Sequence, residues 1–148
     1  MTYQSFIKSM QDKAYENGKE ESAVILILEA VTKLETNFLY MKMNEEIDDK
    51  TISDFNKIFD IYLFENKPVQ YLIGYSTFYG YDFKVNENVL IPRFETEELV
   101  ENVLYRYDKH FKGQKVDVCD LACGSGCIGV ALSLEEPNMN VIASDISN

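Results

Sequence analysis

A glycine-rich turn between two strand-like segments restricts the fold of this chain more than any other feature. The segment KVDVCDL has the character of a β-strand, the turn ACGSG follows it, and the helical stretch CIGVALSL ends before Pro137. A second strand-like segment, NVIASD, comes next. A strand, a glycine turn, a helix and a second strand in this order predict a parallel βαβ unit, with the right-handed crossover found in nearly all proteins. We therefore expect the C-terminal part of the chain to begin a Rossmann-like sheet.

The N-terminal part of the chain repeats apolar residues at helical spacing in four segments. The pair at 17–18, Asn-Gly, is a stop signal for the first helix, and Ser22 is expected to cap the second. Asn37 is expected to begin a short third helix, and Thr51 or Ser53 to cap the fourth. The apolar stripes comprise Tyr3, Phe6, Ile7, Met10, Ala14, Val24, Ile27, Leu28, Val31, Leu34, Ile52, Phe55, Phe59, Tyr62 and Leu63. Four amphipathic helices with short links predict a small helical bundle.

The pattern changes at Pro68, because proline ends a helix and disfavours helical geometry in the residue before it. The residues that follow look short and strand-like, and Gly80 supplies a turn signal between alternating aromatic and branched residues, so we expect one or two hairpins. We therefore divide the chain into a helical domain at 1–67, a β-hairpin linker at 68–92 and an incomplete α/β domain at 93–148. The predicted fold class is α+β.

Charge and hydropathy exclude several classes of function. Acidic residues outnumber basic ones by 25 to 14, and the excess is spread along the whole chain. No cluster of Lys or Arg forms the basic stripe that a phosphate backbone requires, which disfavours direct binding of nucleic acid. The longest apolar run, AVILIL, is far shorter than the roughly 20 residues of a membrane span. The N-terminal residues lack the basic, apolar and small-residue pattern of a secretory signal, so we expect none. We expect a cytoplasmic protein without a membrane segment.

Three cysteines, Cys119, Cys123 and Cys127, are spaced by four residues, and such regular spacing could suggest a metal or iron–sulfur site. The spacing matches none of the usual thiolate motifs. The first lies on a predicted strand, the second in the turn and the third at a helix start, so their thiols should point in different directions. We predict small packing residues and no metal.

Two ligands compete for the glycine turn. In a dinucleotide fingerprint, Gly124, Gly126 and Gly129 form GxGxxG and Asp145 accepts from a ribose hydroxyl. In an adenosylmethionine-dependent methyltransferase the same turn follows an acidic residue at the strand end, here Asp120, and Asp145 again contacts the ribose. A carboxylate at the strand end suits a cationic sulfonium and should repel a pyrophosphate, so the methyltransferase is favoured. A tight turn without a ligand is the third alternative.

Residues before the turn carry a family resemblance. PVQYLIG at 68–74, STFYGYDFKVNENVLIPRFETEELVENVL at 76–104 and DLACGSGCIGVAL at 120–132 resemble, in this order and spacing, the HemK/PrmC family. That family comprises methyltransferases that modify the glutamine side-chain amide of peptide-chain release factors. The resemblance implies a class I methyltransferase fold, S-adenosylmethionine as cofactor, release factors as protein partners in translation termination, and a substrate-recognition role for the N-terminal helices.

The resemblance also implies roles for individual residues. The expected cofactor-binding residues are Asp120, Ala122, Cys123, Gly124, Ser125, Gly126 and Asp145, with Pro92, Arg93, Glu95 and Thr96 in a supporting position at the cleft. Two positions depart from the family pattern: Phe94 replaces the proline of IPRPETE, and Ala122 replaces the first glycine of the turn. Alanine is readily tolerated at that position if its φ is negative, so this departure weakens the cofactor interpretation only slightly.

The family's NPPY motif lies downstream of the second strand, and this chain stops before it. We therefore expect no catalytic residue within these 148 residues, and neither methylation nor tight cofactor binding by this chain alone. We also expect the apolar faces of the two strands to be covered by another copy of the chain or to be poorly ordered. The alternatives left open are an adenine or other amino-group methyltransferase with the same downstream motif, an NAD-dependent oxidoreductase, and a non-catalytic helical module that docks a protein partner.

Overall fold

The computed structural model describes residues 1–146 and separates into two compact units, Met1–Ile73 and the part from Gly74 onward. The first unit is helical, and the second combines helices with two small sheets. This mixture confirms the predicted α+β class. No helix in the described part of the chain has the length and apolar character needed to cross a membrane.

Five helices build the first unit: α1 Tyr3–Glu16, α2 Ala23–Thr32, α3 Thr36–Met41, α4 Asp49–Phe64 and α5 Val69–Ile73. Helix α2 is the most apolar and packs against each of the other four, so the core lies around it. Most of the predicted apolar stripes are buried there. The largest fully buried side chains of this unit are Val24, Ile27, Leu28, Leu39, Phe55 and Phe59.

The helix caps differ from those expected. Asp48 begins α4, since its carboxylate accepts from the backbone N–H of Thr51 (2.9 Å) and from the Thr51 hydroxyl (2.7 Å). The predicted cap at Thr51 or Ser53 is therefore wrong, because an acceptor one turn earlier starts the helix and places both residues inside it. Ser22 does precede α2, but its backbone is already helical and its side chain makes no capping hydrogen bond.

Helix α5 shows that the predicted strand-like character of residues 69–73 is wrong. The Tyr71 N–H donates to the Pro68 carbonyl (3.2 Å), and Val69 is buried in the helical core. Proline is favoured in the first turn of a helix, where its missing N–H costs nothing, so Pro68 follows one helix and opens the next. The helical unit consequently continues to Ile73.

The second unit opens with a hairpin of β1 Tyr75–Phe78 and β2 Tyr81–Lys84, which confirms a predicted hairpin. Tyr79 and Gly80 form its two-residue turn with φ of +52° and +78°, the mirror-image geometry that matches the twist of paired strands. Phe78 and Phe83 are buried in the core of this unit, with their rings edge to face at 6.2 Å. The hairpin is thus part of the second unit's core.

The rest of this unit contains a short 3-10 helix Phe94–Thr96, α6 Glu97–His110, β3 Val116–Leu121, α7 Cys127–Glu135 and β4 Met139–Ser144. Strands β3 and β4 pair in parallel, with Val116 opposite Met139 and Leu121 opposite Ser144. Helix α7 contacts both strands and α6. The predicted βαβ unit is confirmed.

The two faces of the parallel sheet have different surroundings. Val116, Val118 and Val141 pack against the core that α6 and α7 cover. Leu121 and Ile142 lie on the opposite face of the sheet, where their exposed fractions are 75% and 57%. Within residues 1–146 this sheet has two strands, and one of its faces is open.

Candidate functional site

The glycine turn follows the end of β3, and every second residue of its backbone has a left-handed conformation. Ala122, Gly124 and Gly126 have φ of +60°, +55° and +74°. The Cys123 N–H donates to the Ser144 carbonyl at the end of β4 (3.0 Å), and the Gly126 N–H donates to the Cys123 carbonyl (2.8 Å). The turn is therefore held against the neighbouring strand before any ligand is considered.

The φ of Ala122 is positive, so the condition under which alanine is readily tolerated here is not met. A left-handed alanine costs about 1–2 kcal/mol, because its Cβ crowds the following carbonyl. The conformation persists because both neighbours are fixed: Leu121 pairs with Ser144 in the sheet, and Cys123 donates to the same residue. Glycine would adopt this geometry without strain.

Asp145 brings a carboxylate to the turn. Its Oδ2 accepts from the Gly124 N–H at 2.7 Å. The turn follows β3 and Asp145 follows β4, so they meet at the carboxyl ends of adjacent parallel strands, where open α/β sheets bind ligands. A Cβ added at Gly124 or Gly126 would meet no atom within 4 Å, so the space beside these residues is open. A ligand could therefore approach the backbone of Gly124 and Gly126 closely, beside the Asp145 carboxylate.

The Asp120 carboxylate also accepts a hydrogen bond from a backbone N–H. Its Oδ2 accepts from the N–H of Gly129, the third residue of α7, at 3.0 Å. Gly126 occupies the cap position of that helix and has no side chain, so Asp120 supplies the missing acceptor from the strand end. A Cβ at Gly129 would lie 3.1 Å from the Asp120 Oδ2 and 3.2 Å from Val141 Cγ1. Gly129 is therefore required for close packing of helix and strand.

The charge around the turn has one sign. From Val116 to Ile146 the sequence contains no Lys, Arg or His. The acidic residues of that stretch are Asp117, Asp120, Glu135, Glu136 and Asp145. The net charge of this segment favours a cationic ligand over a polyanion.

The three cysteines have three different environments, since Cys119 is exposed, Cys123 is partly buried in the turn and Cys127 is buried. In the described stretch, residues 1 to 146, no group of three or more His, Cys, Asp or Glu side chains could hold a metal ion.

The four supporting residues lie in a separate segment at the start of α6. Pro92 and Thr96 are partly buried, whereas Arg93 and Glu95 are exposed. The Thr96 N–H donates to the Arg93 carbonyl (3.0 Å) and closes the short 3-10 turn. The hydrogen bonds of the described residues link Cys123, Gly124, Gly126 and Asp145 into one site, with Asp120 beside it. These links leave Pro92–Thr96 as a second element.

Glu97 makes a contact that the sequence pattern did not reveal. Its Oε1 accepts from the Tyr79 N–H at 2.7 Å, which ties the hairpin turn to the first residue of α6. Burial raises the pKa of the Tyr79 hydroxyl, and the nearby carboxylates of Glu101, Glu135 and Glu97 raise it further. A glutamate in a helix's first turn is expected for the helix dipole alone, so only the fold reveals this partner.

The same hairpin is tied to α7. The Tyr81 hydroxyl donates to Glu135 Oε1 at 2.9 Å. This hydrogen bond to the carboxylate raises the pKa of the Tyr81 hydroxyl. The hairpin is thus hydrogen-bonded to the start of α6 and to the end of α7.

Comparison with known proteins covers both units. The family model described as "PrmC N-terminal domain" matches residues 5–74. The release factor glutamine methyltransferase of Bacillus cereus is 44% identical over 132 residues, which are 89% of this chain and 46% of that protein. This chain belongs to the HemK/PrmC family. The release factor glutamine methyltransferase of Bacillus subtilis is 41% identical over 133 residues, which are 89% of this chain and 46% of that protein.

A further relative of this HemK/PrmC chain is the bifunctional methyltransferase of Rickettsia prowazekii, 36% identical over 137 residues, which are 82% of this chain and 26% of that protein. The chain spans about half the length of the Bacillus relatives it matches. The family-model match ends at residue 74, next to Ile73, where the helical unit ends. Sequence family and fold therefore place the end of the N-terminal domain at the same point.

Proposed function

We propose that the protein to which this chain contributes transfers a methyl group from S-adenosylmethionine to the glutamine side-chain amide of peptide-chain release factors. One observation carries the proposal: the Asp145 carboxylate meets the left-handed turn at the ends of two parallel strands, 2.7 Å from the Gly124 nitrogen. The names of the relatives, release factor glutamine methyltransferase, support the choice of substrate.

The residues around the turn fit this cofactor. Backbone without side-chain bulk at Gly124 and Gly126 allows close approach of a nucleoside, and open space lies beside both. Asp145 would accept from the ribose hydroxyls, since a carboxylate can accept several hydrogen bonds at once. The acidic surroundings suit an ammonium and a sulfonium. Ala122, Cys123 and Ser125 would contribute backbone, with Pro92, Arg93, Glu95 and Thr96 in support.

The cofactor would supply a methyl group activated by its positive sulfur. The acceptor is a poor nucleophile, because the lone pair of an amide nitrogen is delocalised into its carbonyl. Catalysis therefore depends on positioning and on acceptors for the amide hydrogens. We assign cofactor holding to this chain's second unit, recognition of the protein substrate to its helical unit, and the cytoplasm as the place of action.

The decisive test uses the purified full-length protein, labelled S-adenosylmethionine and release factors, with the methylated residue located by mass spectrometry. We expect the label on one glutamine side chain and none after that glutamine is replaced by alanine. Asp145→Ala should abolish the label, whereas Asp117→Ala, an equal loss of charge on an exposed side chain of β3, should retain it. Transfer to adenine in nucleic acid, or no transfer, would refute the proposed function.

A further inference from the structure

The link between α1 and α2 contains an asparagine followed by a glycine, Asn17 and Gly18. Such a pair is the most favourable sequence for deamidation, because glycine has no side chain to shield its backbone nitrogen from the neighbouring side-chain amide. The pair occurs once in the sequence. Both residues are exposed, so water, which the reaction also requires, can reach them.

The folded backbone keeps the two reacting groups apart. Deamidation requires the Gly18 nitrogen to attack the side-chain carbonyl carbon of Asn17. The Asn17 ψ of 10° turns that nitrogen towards the Asn17 backbone nitrogen and away from its Cβ. The Asn17 Nδ2–H also donates to the Lys13 carbonyl (2.8 Å). The Gly18 N–H donates to the Tyr15 carbonyl (2.9 Å), so ring closure requires the end of α1 to open.

Side chains at the end of α4 hold the same link closed. The Tyr62 hydroxyl accepts from the Glu20 N–H (3.0 Å) and lies 3.3 Å from the Glu20 carbonyl, to which it donates. The Lys19 Nζ donates to Asn66 Oδ1 (2.9 Å) and lies 5.6 Å from the centroid of the Tyr62 ring. Because Lys19 and Glu20 directly follow the Asn-Gly pair, these contacts restrict the opening that deamidation requires.

We propose that Asn17 is a deamidation site that the folded helical unit protects, and that Tyr62 and Lys19 control its exposure to the reaction. In the open link the Gly18 nitrogen forms a bond to the Asn17 Cγ, and its proton leaves with the amide group as ammonia. Water then opens the resulting succinimide to aspartate or isoaspartate, so no oxidant or reductant takes part. The inference goes beyond methyl transfer and does not depend on it.

Either product changes the end of α1. A carboxylate at position 17 cannot donate to the Lys13 carbonyl, and it places a negative charge at the negative end of the helix dipole. Isoaspartate also lengthens the main chain before Gly18, which removes the fit of the Gly18 N–H to the Tyr15 carbonyl. Deamidation thus converts a transient opening into a permanent weakening of the link between α1 and α2.

The test follows deamidation of the 148-residue chain in a mildly alkaline buffer, by mass spectrometry of the peptide that contains Asn17. We expect the folded protein to react at least about tenfold more slowly than the same protein in urea, since the reaction needs local opening. Tyr62→Phe removes the hydrogen bonds to Glu20 and should reduce this protection about three- to tenfold. Tyr40→Phe, an equal loss of a hydroxyl on an exposed side chain of α3, should keep wild-type protection.

A second variant keeps the test decisive if Tyr62→Phe does not fold. Lys19→Ala removes the contact to Asn66 from a partly buried side chain and should also reduce the protection. Each variant is compared with its own rate in urea, so any change in the intrinsic reactivity of the pair cancels. Equal rates in the folded and denatured wild type, or wild-type protection in both Tyr62→Phe and Lys19→Ala, would overturn the proposal.

Discussion

Ala122 is the residue at which the turn departs most clearly from its low-energy conformation, with a φ of +60°. We expect Ala122→Gly to raise the free energy of unfolding of the second unit by about 0.5–1 kcal/mol, because relief of the left-handed strain exceeds the added entropy of the unfolded chain. Urea denaturation measures the change. Gly124→Ala, at a φ of +55°, is the opposite substitution and should lower the same quantity by about 1–2 kcal/mol. Equal effects in both variants would contradict this account.

Gly129 tests the contact between Asp120 and α7. Helix propensity alone would make Gly129→Ala stabilising by about 1 kcal/mol. The new Cβ would press on the Asp120 carboxylate and on Val141, so we expect a net loss of about 1–3 kcal/mol in the free energy of unfolding. Ser133→Ala, at an exposed position of the same helix, should stay within about 0.5 kcal/mol of wild type. If Gly129→Ala stabilised the protein, the Asp120 side chain would have moved to make room for the new Cβ, which contradicts this account.

At this scale the sequence identifies which residues meet but not how they bond. The spacing of Asp120, Gly124 and Asp145 predicts a shared site, which the hydrogen bonds at Gly124 and Gly129 are consistent with. The sign of φ at Ala122 could not be predicted, because alanine accepts either sign at a modest cost. The partner of Asp120 depends on the crossing of helix and strand, and that geometry is set by packing.

Among the elements, α4 provides a cap with a pH dependence. Hydrogen bonds from Thr51 hold the pKa of the Asp48 carboxyl below its ordinary value of 3.8. Because the folded pKa is lower, the stabilisation is complete above pH 3.8 and is lost as the pH falls through the folded pKa.

We expect Asp48→Ala to lower the thermal midpoint of the helical unit at neutral pH, with the difference from wild type shrinking below pH 3.8. Circular dichroism melts at a series of pH values follow this change. Ser22→Ala is the control, since the Ser22 side chain makes no capping hydrogen bond and its removal should leave the midpoint unchanged at every pH. A pH-independent loss in Asp48→Ala would argue against the charged cap.

Helices and strands were easier to predict than their ends. The apolar stripes identified α1, α2 and α4, and the glycine turn identified β3, α7 and β4. Four neighbouring residues, Asp48, Asp49, Thr51 and Ser53, can all cap a helix, so the start of α4 was ambiguous from propensity alone. Pro68 was equally ambiguous, because proline both follows and begins helices.

For the whole molecule, the open sheet face bears on cofactor binding. Within residues 1–146, Leu121 and Ile142 are exposed on a parallel sheet of two strands, so the sheet that carries the turn is covered on one face only. We expect calorimetric titration of the 148-residue chain with S-adenosylmethionine to give no saturable heat at micromolar concentrations, because parallel sheets are normally covered on both faces. The full-length protein is the matched comparison and should bind. A micromolar dissociation constant for the 148-residue chain would contradict this expectation.

The central position of α2 has a consequence for how the helical unit forms. Ten residues are too few for a stable isolated helix in water, and α2 contacts each of its four neighbours. The buried residues of this unit form one hydrophobic cluster. Residues 1–73 should therefore gain and lose structure cooperatively, with slow amide hydrogen exchange at Ile27, Phe55 and Leu39 governed by one common opening event.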